Sequence, residues 1–158
     1  MLVPCGGGGL IAGIAIALAH DMPNTAVYAV EPAGFDDTAH SLSSGERQSV
    51  VPGGRSICDA LLVTTPGILT FATNKELLAG GIVVDDEATL DAMATAFSEF
   101  KLVVEPGGAV ALAAVLNGRF DAKGKTIAVV VSGGNVDAAI FKAALDRAAG
   151  VRSPESQL

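Results

Sequence analysis

The sequence predicts an α/β protein with three layers, in which helices cover both faces of a mostly parallel, twisted sheet. Short runs rich in β-branched residues alternate along the chain with longer alanine-rich stretches of helical period. The segment from Thr126 to Val131 is a continuous apolar run, which suits a strand buried on both faces. A third observation is a local pattern that occurs three times: apolar residues, then glycines, then a helix.

The predicted elements alternate in chain order. The candidate strands are Ala26 to Val30, Gly81 to Val84, Leu102 to Val104 and Thr126 to Val131. The candidate helices are Leu10 to Ala19, Gly67 to Leu78, Glu87 to Phe100, Gly108 to Asn117 and Val136 to Ala148. Helix ends are indicated by Asp85 and Asp86 as N-caps, Pro66 at a start, and Gly118 and Gly150 at ends.

Two segments carry no regular pattern. The stretch from Gly34 to Ile57 is rich in serine, glycine and proline, and is predicted to be irregular with one short helix. Residues Val151 to Leu158 are predicted to form a disordered tail. The first strand has only the short stub Leu2 and Val3 before its glycines, whereas strands usually run to about five or six residues. The start is therefore expected to be internal to a larger fold.

Composition excludes several classes of protein. Of the 158 residues, 50% are hydrophobic and 17% are charged, yet no apolar run approaches the roughly 18 residues of a membrane span. No basic segment precedes an apolar one as in a secretory signal, so a cytoplasmic location is expected. A net charge of −7, with one Tyr and no Trp, argues against a nucleic-acid partner. Two cysteines and two histidines without ligand spacing argue against structural zinc.

The three glycine segments are expected to form one ligand pocket. They run from Cys5 to Leu10, from Val104 to Ala109, and from Val131 to Asn135. If their strands are parallel, all three lie at the carboxyl edge of one sheet, where open α/β folds bind ligands. The four glycines Gly6 to Gly9 allow backbone N–H groups to face an anion, and the following helix N-terminus adds partial positive charge. Phosphate is the expected ligand.

Five motifs together carry a resemblance to a known family. The chain contains PCGGGGLIAGIA, YAVEPAGFDD, SICDALLVTTPGILTF, VVEPGGAVALAAVL and VVVSGGNVD, in that order. This set resembles the threonine/serine dehydratases (threonine ammonia-lyases) of the fold-type II pyridoxal-phosphate (PLP) enzymes, which are tryptophan synthase beta-like. The match runs from about Val3 to about Leu145, and the combination of GGGGL with SGGN is specific. It implies that residues 1–150 are the C-terminal part of the large, PLP-binding domain.

The resemblance also implies the residues that contact the cofactor. The backbone of the first glycine segment would hold the PLP phosphate, through Gly6, Gly7, Gly8, Gly9 and Leu10. Ser132 would offer its hydroxyl to the pyridine nitrogen, with Gly133 beside it and Asn135 ordering the loop. Glu105 would be the acidic residue beside the cofactor, and Gly107 and Gly108 would allow close backbone approach.

A metal site is implied by the same resemblance. In metal-activated members of the family, a divalent cation would be held by Glu31, the carbonyl of Phe35 and Asp37. Oxygen ligands of this kind suit Mg²⁺, Ca²⁺ or Mn²⁺. The alternative is a turn whose acids cap the next helix.

The expected activity is β-elimination from a hydroxy amino acid, threonine or serine, to a 2-oxo acid and ammonia. The family's Schiff-base lysine lies in a serine-x-lysine segment, and no such segment occurs here. The chain's lysines have surface-like neighbours, and none is a credible substitute: Lys75, Lys101, Lys123, Lys125 and Lys142. We therefore expect the C-terminal half of a dehydratase, without catalytic residues of its own and inactive alone. An unpaired sheet edge predicts a homo-oligomer or association through that edge.

Each local assignment has a simpler alternative. Ser132 could cap the following helix, and Glu105 could complement the dipole of the helix that it precedes. Cys5 could be a thiol of lowered pKa, although buried filler is the stronger interpretation. His20, late in the first helix, is expected to be a surface residue that complements the helix dipole.

Two alternative functions remain open at this point. The first is an NAD(P)-type dinucleotide-binding module, since Gly7, Gly9 and Ala12 satisfy a relaxed glycine fingerprint and Glu31 ends the next strand. Pro32 and the acids that follow it argue against this function, and it leaves the SGGN segment unexplained. The second is a non-catalytic partner that binds a full-length dehydratase.

Overall fold

The computed structural model describes residues 1–149, within which it contains three strands and six α-helices. The strands are β1 (Leu2–Pro4), β2 (Tyr28–Pro32) and β3 (Gly80–Val84). The helices are α1 (Gly9–Asp21), α2 (Asp37–Ser44), α3 (Ile68–Leu77), α4 (Asp86–Phe100), α5 (Pro106–Leu116) and α6 (Ala138–Ala148). A single 3-10 turn covers Asp59–Leu61. The predicted α/β class is confirmed.

All pairs in the sheet are parallel, and the strand order is β1-β2-β3. Successive residues of a strand point to opposite faces, and two separate clusters of buried side chains follow from this. Leu2, Val30 and Val84 pack on one face with α4, α5 and α6. Val3 and Ala29 pack on the other face with α1. Three layers result, as the sequence predicts.

Helix α5 is the centre of the larger cluster. It is apolar all round and packs against α4 and all three strands. A helix without a polar face is stable only when neighbours cover it on every side. Its fully buried side chains are Ala109, Val110, Ala111, Ala113 and Ala114. The glycines that precede them are therefore held in a fixed place against the sheet.

The predicted strand from Thr126 to Val131 is reduced to a single parallel bridge. The Leu2 N–H donates to the Ala128 carbonyl at 2.9 Å, and the Val130 N–H donates to the Leu2 carbonyl at 3.0 Å. The next donor on β1 would be residue 4, which is a proline without an N–H group. The ladder ends there for that reason, although the segment still lies beside β1 and runs parallel to it.

The predicted strand from Leu102 to Val104 is wrong. These residues pair with no strand in the part of the chain that the structure describes, and they form the link between α4 and α5. The Leu102 N–H donates to the Ala96 carbonyl and so helps to close the end of α4, where Lys101 adopts a left-handed φ of 61°. The Glu105 N–H donates to the Gly133 carbonyl, so this link contacts the third glycine segment without forming a ladder.

The other predictions have mixed outcomes. Asp85 caps α4, since its side chain accepts the Ala88 N–H at 2.8 Å. Asp86 is not a cap; its carboxylate accepts bonds from the Ser56 hydroxyl and the Ile57 N–H instead. The short helix expected between Gly34 and Ile57 is α2. The tail from Val151 to Leu158, and Gly150, lie outside the described residues.

None of the helices within residues 1–149 is both long enough and apolar enough to cross a membrane. The predicted cytoplasmic location and the predicted association through a sheet edge are tested by nothing in the fold, and both stay predictions.

Candidate functional site

The structure brings the three glycine segments together at one edge of the sheet. The 3-10 turn Asp59–Leu61 lies between the first two: Cβ atoms built on Gly6 and on Gly107 would lie 3.4 Å and 3.2 Å from atoms of Leu61. The second and third segments touch directly, since a Cβ on Gly108 would lie 2.7 Å from the Gly133 carbonyl oxygen. Glycine is required at position 108, because a Cβ atom there would overlap the Gly133 backbone.

The first glycine segment forms the N-terminus of α1. Gly8 is the N-cap with a left-handed φ of 85°, and the first helical bond runs from the Ala12 N–H to the Gly8 carbonyl at 3.0 Å. Within residues 1–149, the N–H groups from Gly6 to Ile11 donate to no protein acceptor. Gly7, Gly9 and Leu10 are exposed. A cluster of free N–H groups at a positive helix end fits an anion such as phosphate.

The second and third segments are linked through Glu105. The Asn135 N–H donates to Glu105 Oε2 at 2.9 Å, and the Glu105 N–H donates to the Gly133 carbonyl at 3.1 Å. Glu105 occupies the N-cap position of α5, yet its side chain makes no capping bond there. The carboxylate therefore orders the neighbouring SGGN loop. Asn135 contributes to that order through its backbone.

Ser132 is exposed and forms no hydrogen bond in the described part of the chain. The alternative that it caps the next helix is wrong, because α6 begins at Ala138 with Asp137 as its N-cap. The hydroxyl is left free at the same sheet edge as the glycine loops. The chemistry of this edge therefore combines free N–H donors, a carboxylate and a hydroxyl.

Glu31 near the end of β2 and Asp37 at the start of α2 are both buried. Oε1 of Glu31 accepts the Thr38 N–H at 2.9 Å, and Oε2 accepts the Ala39 N–H at 2.8 Å, so this carboxylate caps α2. Burial raises the pKa of Glu31 to about 8, against the opposing effect of these bonds. Burial also raises the pKa of Asp37 to about 6, and its buried Oδ2 atom accepts no hydrogen bond.

The predicted third ligand, the carbonyl of Phe35, belongs to a residue that is itself 8% exposed. Within residues 1–149, no group of three or more His, Cys, Asp or Glu side chains is arranged to hold a metal ion. The orphaned Asp37 oxygen does fit a cation, and Glu31 keeps spare lone pairs beside its two bonds. Two carboxylates of the predicted metal site are thus buried near each other in the chain, and one of them, Glu31, also caps α2.

Cys5 and His20 are outside this chemistry. Burial, with the nearby Glu31 carboxylate, raises the pKa of the Cys5 thiol to about 12. The alternative of a lowered thiol pKa is therefore wrong, and Cys5 is a small buried side chain that fills space in the core. His20 is exposed on the last turn of α1 and hydrogen-bonds Asp21 at 2.6 Å.

The geometry of Glu31 also bears on the dinucleotide alternative. A ribose-binding acid must present its oxygens to the ligand. Here Glu31 is fully buried and both oxygens accept N–H groups of α2. The dinucleotide function is not favoured.

Sequence reasoning missed several residues that hold the glycine loop. Thr70 and Asn74 on α3 donate to the carbonyls of Gly7 and Gly8, and Asp86 ties the chain around Ser56 to the start of α4. The helical spacing of 70 and 74 places these two positions on one face of α3, and Gly67 is the N-cap one turn before Thr70. That spacing was visible in the sequence, but nothing in it pointed to the loop more than sixty positions away.

Residues 1–133 match the family model described as pyridoxal-phosphate dependent enzyme. The chain is 43% identical over 140 residues to a serine racemase of Dictyostelium discoideum. The aligned region covers 87% of this chain and 43% of that protein. It is 39% identical over 137 residues to an L-threonine ammonia-lyase of Thermotoga maritima, and that alignment covers 87% of this chain and 34% of the ammonia-lyase. The crystal structure of a T.th. threonine deaminase superimposes with a TM-score of 0.80 and 40% identity, over 86% of this chain and 46% of that one. The chain spans less than half the length of these relatives.

Proposed function

The chain belongs to the pyridoxal-phosphate-dependent enzymes, and we propose that it is the phosphate-binding half of a threonine/serine dehydratase. The reaction of the whole enzyme would be β-elimination of water from threonine or serine, which yields a 2-oxo acid and ammonia. The observation that carries the proposal is the cluster of free N–H groups from Gly6 to Leu10. The Ser132 segment lies at the same sheet edge, because the chain around Val129 runs parallel to β1, and Glu105 is hydrogen-bonded to that segment.

The residues of this edge divide into distinct roles. When bound, PLP supplies an electron sink for the bonds at the α-carbon of an amino acid. The N–H groups of the first glycine segment would bind its phosphate. Ser132 would hydrogen-bond the pyridine nitrogen, and a neutral hydroxyl does not hold that nitrogen protonated as a carboxylate would. This arrangement suits an elimination, for which a weaker electron sink is sufficient because the β-hydroxyl departs. Glu105 would keep the SGGN loop in place through the Asn135 N–H.

A second candidate activity is racemisation of serine. It is supported by the relatives named serine racemases, which resemble this chain as closely as the threonine ammonia-lyases do. The two activities are separated by their products: a 2-oxo acid with ammonia in one case, and D-serine in the other. The non-catalytic partner of a full-length dehydratase stays a prediction, for which co-purification is the test.

Binding of PLP by the purified chain tests the proposal. We expect saturable binding, with PLP at least about tenfold tighter than pyridoxal, because the phosphate adds charge-assisted hydrogen bonds worth about 1.5–3 kcal/mol each. Absorbance titrations with PLP, pyridoxal and NAD measure this. Equal affinities for PLP and pyridoxal, or tighter binding of NAD, would contradict the proposal.

We also propose a divalent cation held by the carboxylates of Glu31 and Asp37 and the carbonyl of Phe35. The proposal is supported by the burial of both acids and by the unpartnered Oδ2 atom of Asp37. Mg²⁺, Ca²⁺ and Mn²⁺ accept such oxygen ligands.

Excess Mg²⁺ is expected to raise the melting temperature relative to EDTA, since a ligand at a hundred times its Kd stabilises the fold by about 2.7 kcal/mol. Differential scanning calorimetry with each of the three cations measures the shift. Asp37→Asn should abolish it, whereas Asp121→Asn, at an exposed acid far along the chain, should not. An identical melting curve in EDTA and in all three cations would rule out the site.

A further inference from the structure

We propose that Thr70 and Asn74 on α3 are positioning residues, which hold the glycine loop Gly6–Gly9 with its N–H groups facing outward and thereby set its affinity for phosphate. The inference rests on the proposed function, because the phosphate concerned is that of PLP. Neither residue touches the anion in this scheme. They act through the opposite side of the loop.

The carbonyl side of the loop faces α3. A loop can aim several N–H groups at an anion only if its carbonyl groups find donors elsewhere. The Thr70 hydroxyl donates to the Gly7 carbonyl at 2.7 Å. The Asn74 Nδ2 donates to the Gly8 carbonyl at 3.4 Å, alongside the Ala12 N–H at 3.0 Å. Both carbonyls are thus held away from the exposed N–H side.

The loop and α3 are closely packed at Gly8 and Gly67. A Cβ on Gly8 would lie 2.8 Å from Asn74 Nδ2 and 3.1 Å from Thr70 Cβ. A Cβ on Gly67 would lie 2.7 Å from Thr70 Oγ1 and 3.3 Å from the Gly7 carbonyl oxygen. Positions 67, 70 and 74 therefore form one contact surface against the loop.

The chemistry of Asn74 points to the same role. The residue is 1% exposed, and its Oδ1 atom accepts no hydrogen bond in the part of the chain that the structure describes. A buried amide with an unused acceptor is unfavourable. The bond from Nδ2 to the loop is therefore the polar interaction that this side chain contributes to the fold.

Isosteric replacement of Thr70 tests the proposal directly. Thr70→Val removes the donor and keeps the shape, while Thr70→Ser keeps the donor. The matched control is Thr73→Val on the same helix, since the Thr73 hydroxyl donates to the Leu69 carbonyl within α3. We expect Thr70→Val to weaken PLP binding about tenfold, because the Gly7 carbonyl loses its donor and the loop loses one of its two bonds to α3. Thr70→Ser and Thr73→Val should stay within about twofold of the unmodified chain.

Asn74→Asp tests the second residue, because it replaces the donor with an acceptor at nearly constant shape. We expect PLP binding to weaken by at least about tenfold, since a carboxylate would face the Gly8 carbonyl. Binding of pyridoxal, which has no phosphate, should be equal in all variants. If Asn74→Asp does not fold, the Thr70 series decides the question.

A readout without PLP separates this inference from the proposed function. Backbone ¹⁵N order parameters of Gly7 to Gly9 should be near the rigid value of about 0.85 in the unmodified chain and in Thr73→Val, and fall below about 0.6 in Thr70→Val. Unchanged order parameters in Thr70→Val, or unchanged PLP affinity, would overturn the positioning role. A chain that binds PLP no better than pyridoxal overturns the proposed function instead, and the order parameters still decide the role of α3.

Discussion

Replacing Gly8 with alanine is expected to weaken PLP binding by about a hundredfold, which corresponds to about 2.7 kcal/mol. Gly8 has a φ of 85°, and holding a residue other than glycine in that region costs about 1–3 kcal/mol. The new Cβ would also lie 2.8 Å from Asn74 Nδ2, so the Asn74 amide that holds the Gly8 carbonyl, or the loop itself, must move. Either movement would release the Gly8 carbonyl and disturb the arrangement of the N–H groups from Gly6 to Leu10. Absorbance titration measures the affinity, and urea unfolding measures the accompanying loss of stability.

Gly13→Ala is the matched control for this variant. Gly13 lies inside the same helix, and a Cβ built on it meets nothing within 4 Å. Alanine there should raise the free energy of unfolding by about 0.5–1 kcal/mol, because glycine disfavours a helix interior. PLP affinity should be unchanged. The role assigned to Gly8 is contradicted if Gly8→Ala binds PLP as tightly as Gly13→Ala does.

Gly108→Ala is expected to weaken PLP binding at least about tenfold through the other end of the site. The Cβ would lie 2.7 Å from the carbonyl oxygen of Gly133 and 2.9 Å from its nitrogen. Both contacts are with backbone, so the SGGN loop must move. Overpacking of this kind destabilises a fold by about 1–3 kcal/mol, while better helix propensity in α5 offsets about 1 kcal/mol. The shift would separate the Asn135 N–H from Glu105, whose bond is 2.9 Å long.

The two glycine variants should differ in their response to inorganic phosphate. Gly108→Ala changes the loop that carries Ser132 and leaves the first glycine segment intact, so phosphate should still stabilise it. Gly8→Ala changes the phosphate site itself and should lose that stabilisation. Thermal melts in phosphate, against chloride of equal ionic strength, measure the difference. Loss of the phosphate effect in Gly108→Ala would contradict the assignment of the phosphate to the first glycine segment alone.

The features that sequence predicted correctly are those determined over a few residues. Alternating short and long apolar runs indicate the parallel α/β class, because strand and helix periods are local properties. Asp85 caps α4 through a bond to a residue three positions away. The glycine segment before α1 follows from the need for a left-handed turn at Gly8 and free N–H groups at a helix start.

The strand from Leu102 to Val104 shows where local patterns fail. Its apolar residues suit a strand, but the end of α4 uses the Leu102 N–H and α5 begins at Pro106. Thr126 to Val131 suits a strand as well, and the missing N–H of Pro4 on its neighbour limits it to a bridge. In both cases a partner distant in sequence, or a competing hydrogen bond, decided the outcome.

Short windows of sequence are enough to predict the fold class, the positions of the glycine segments and the family, because period, turn chemistry and motif order are local properties. How the segments meet depends on the tertiary packing. It placed the Glu105 carboxylate on the Asn135 N–H, thirty positions away, and turned Glu31 inward to cap α2. It also set Thr70 and Asn74 behind the glycine loop. Such contacts depend on which helix packs against which loop, and no local pattern encodes that choice.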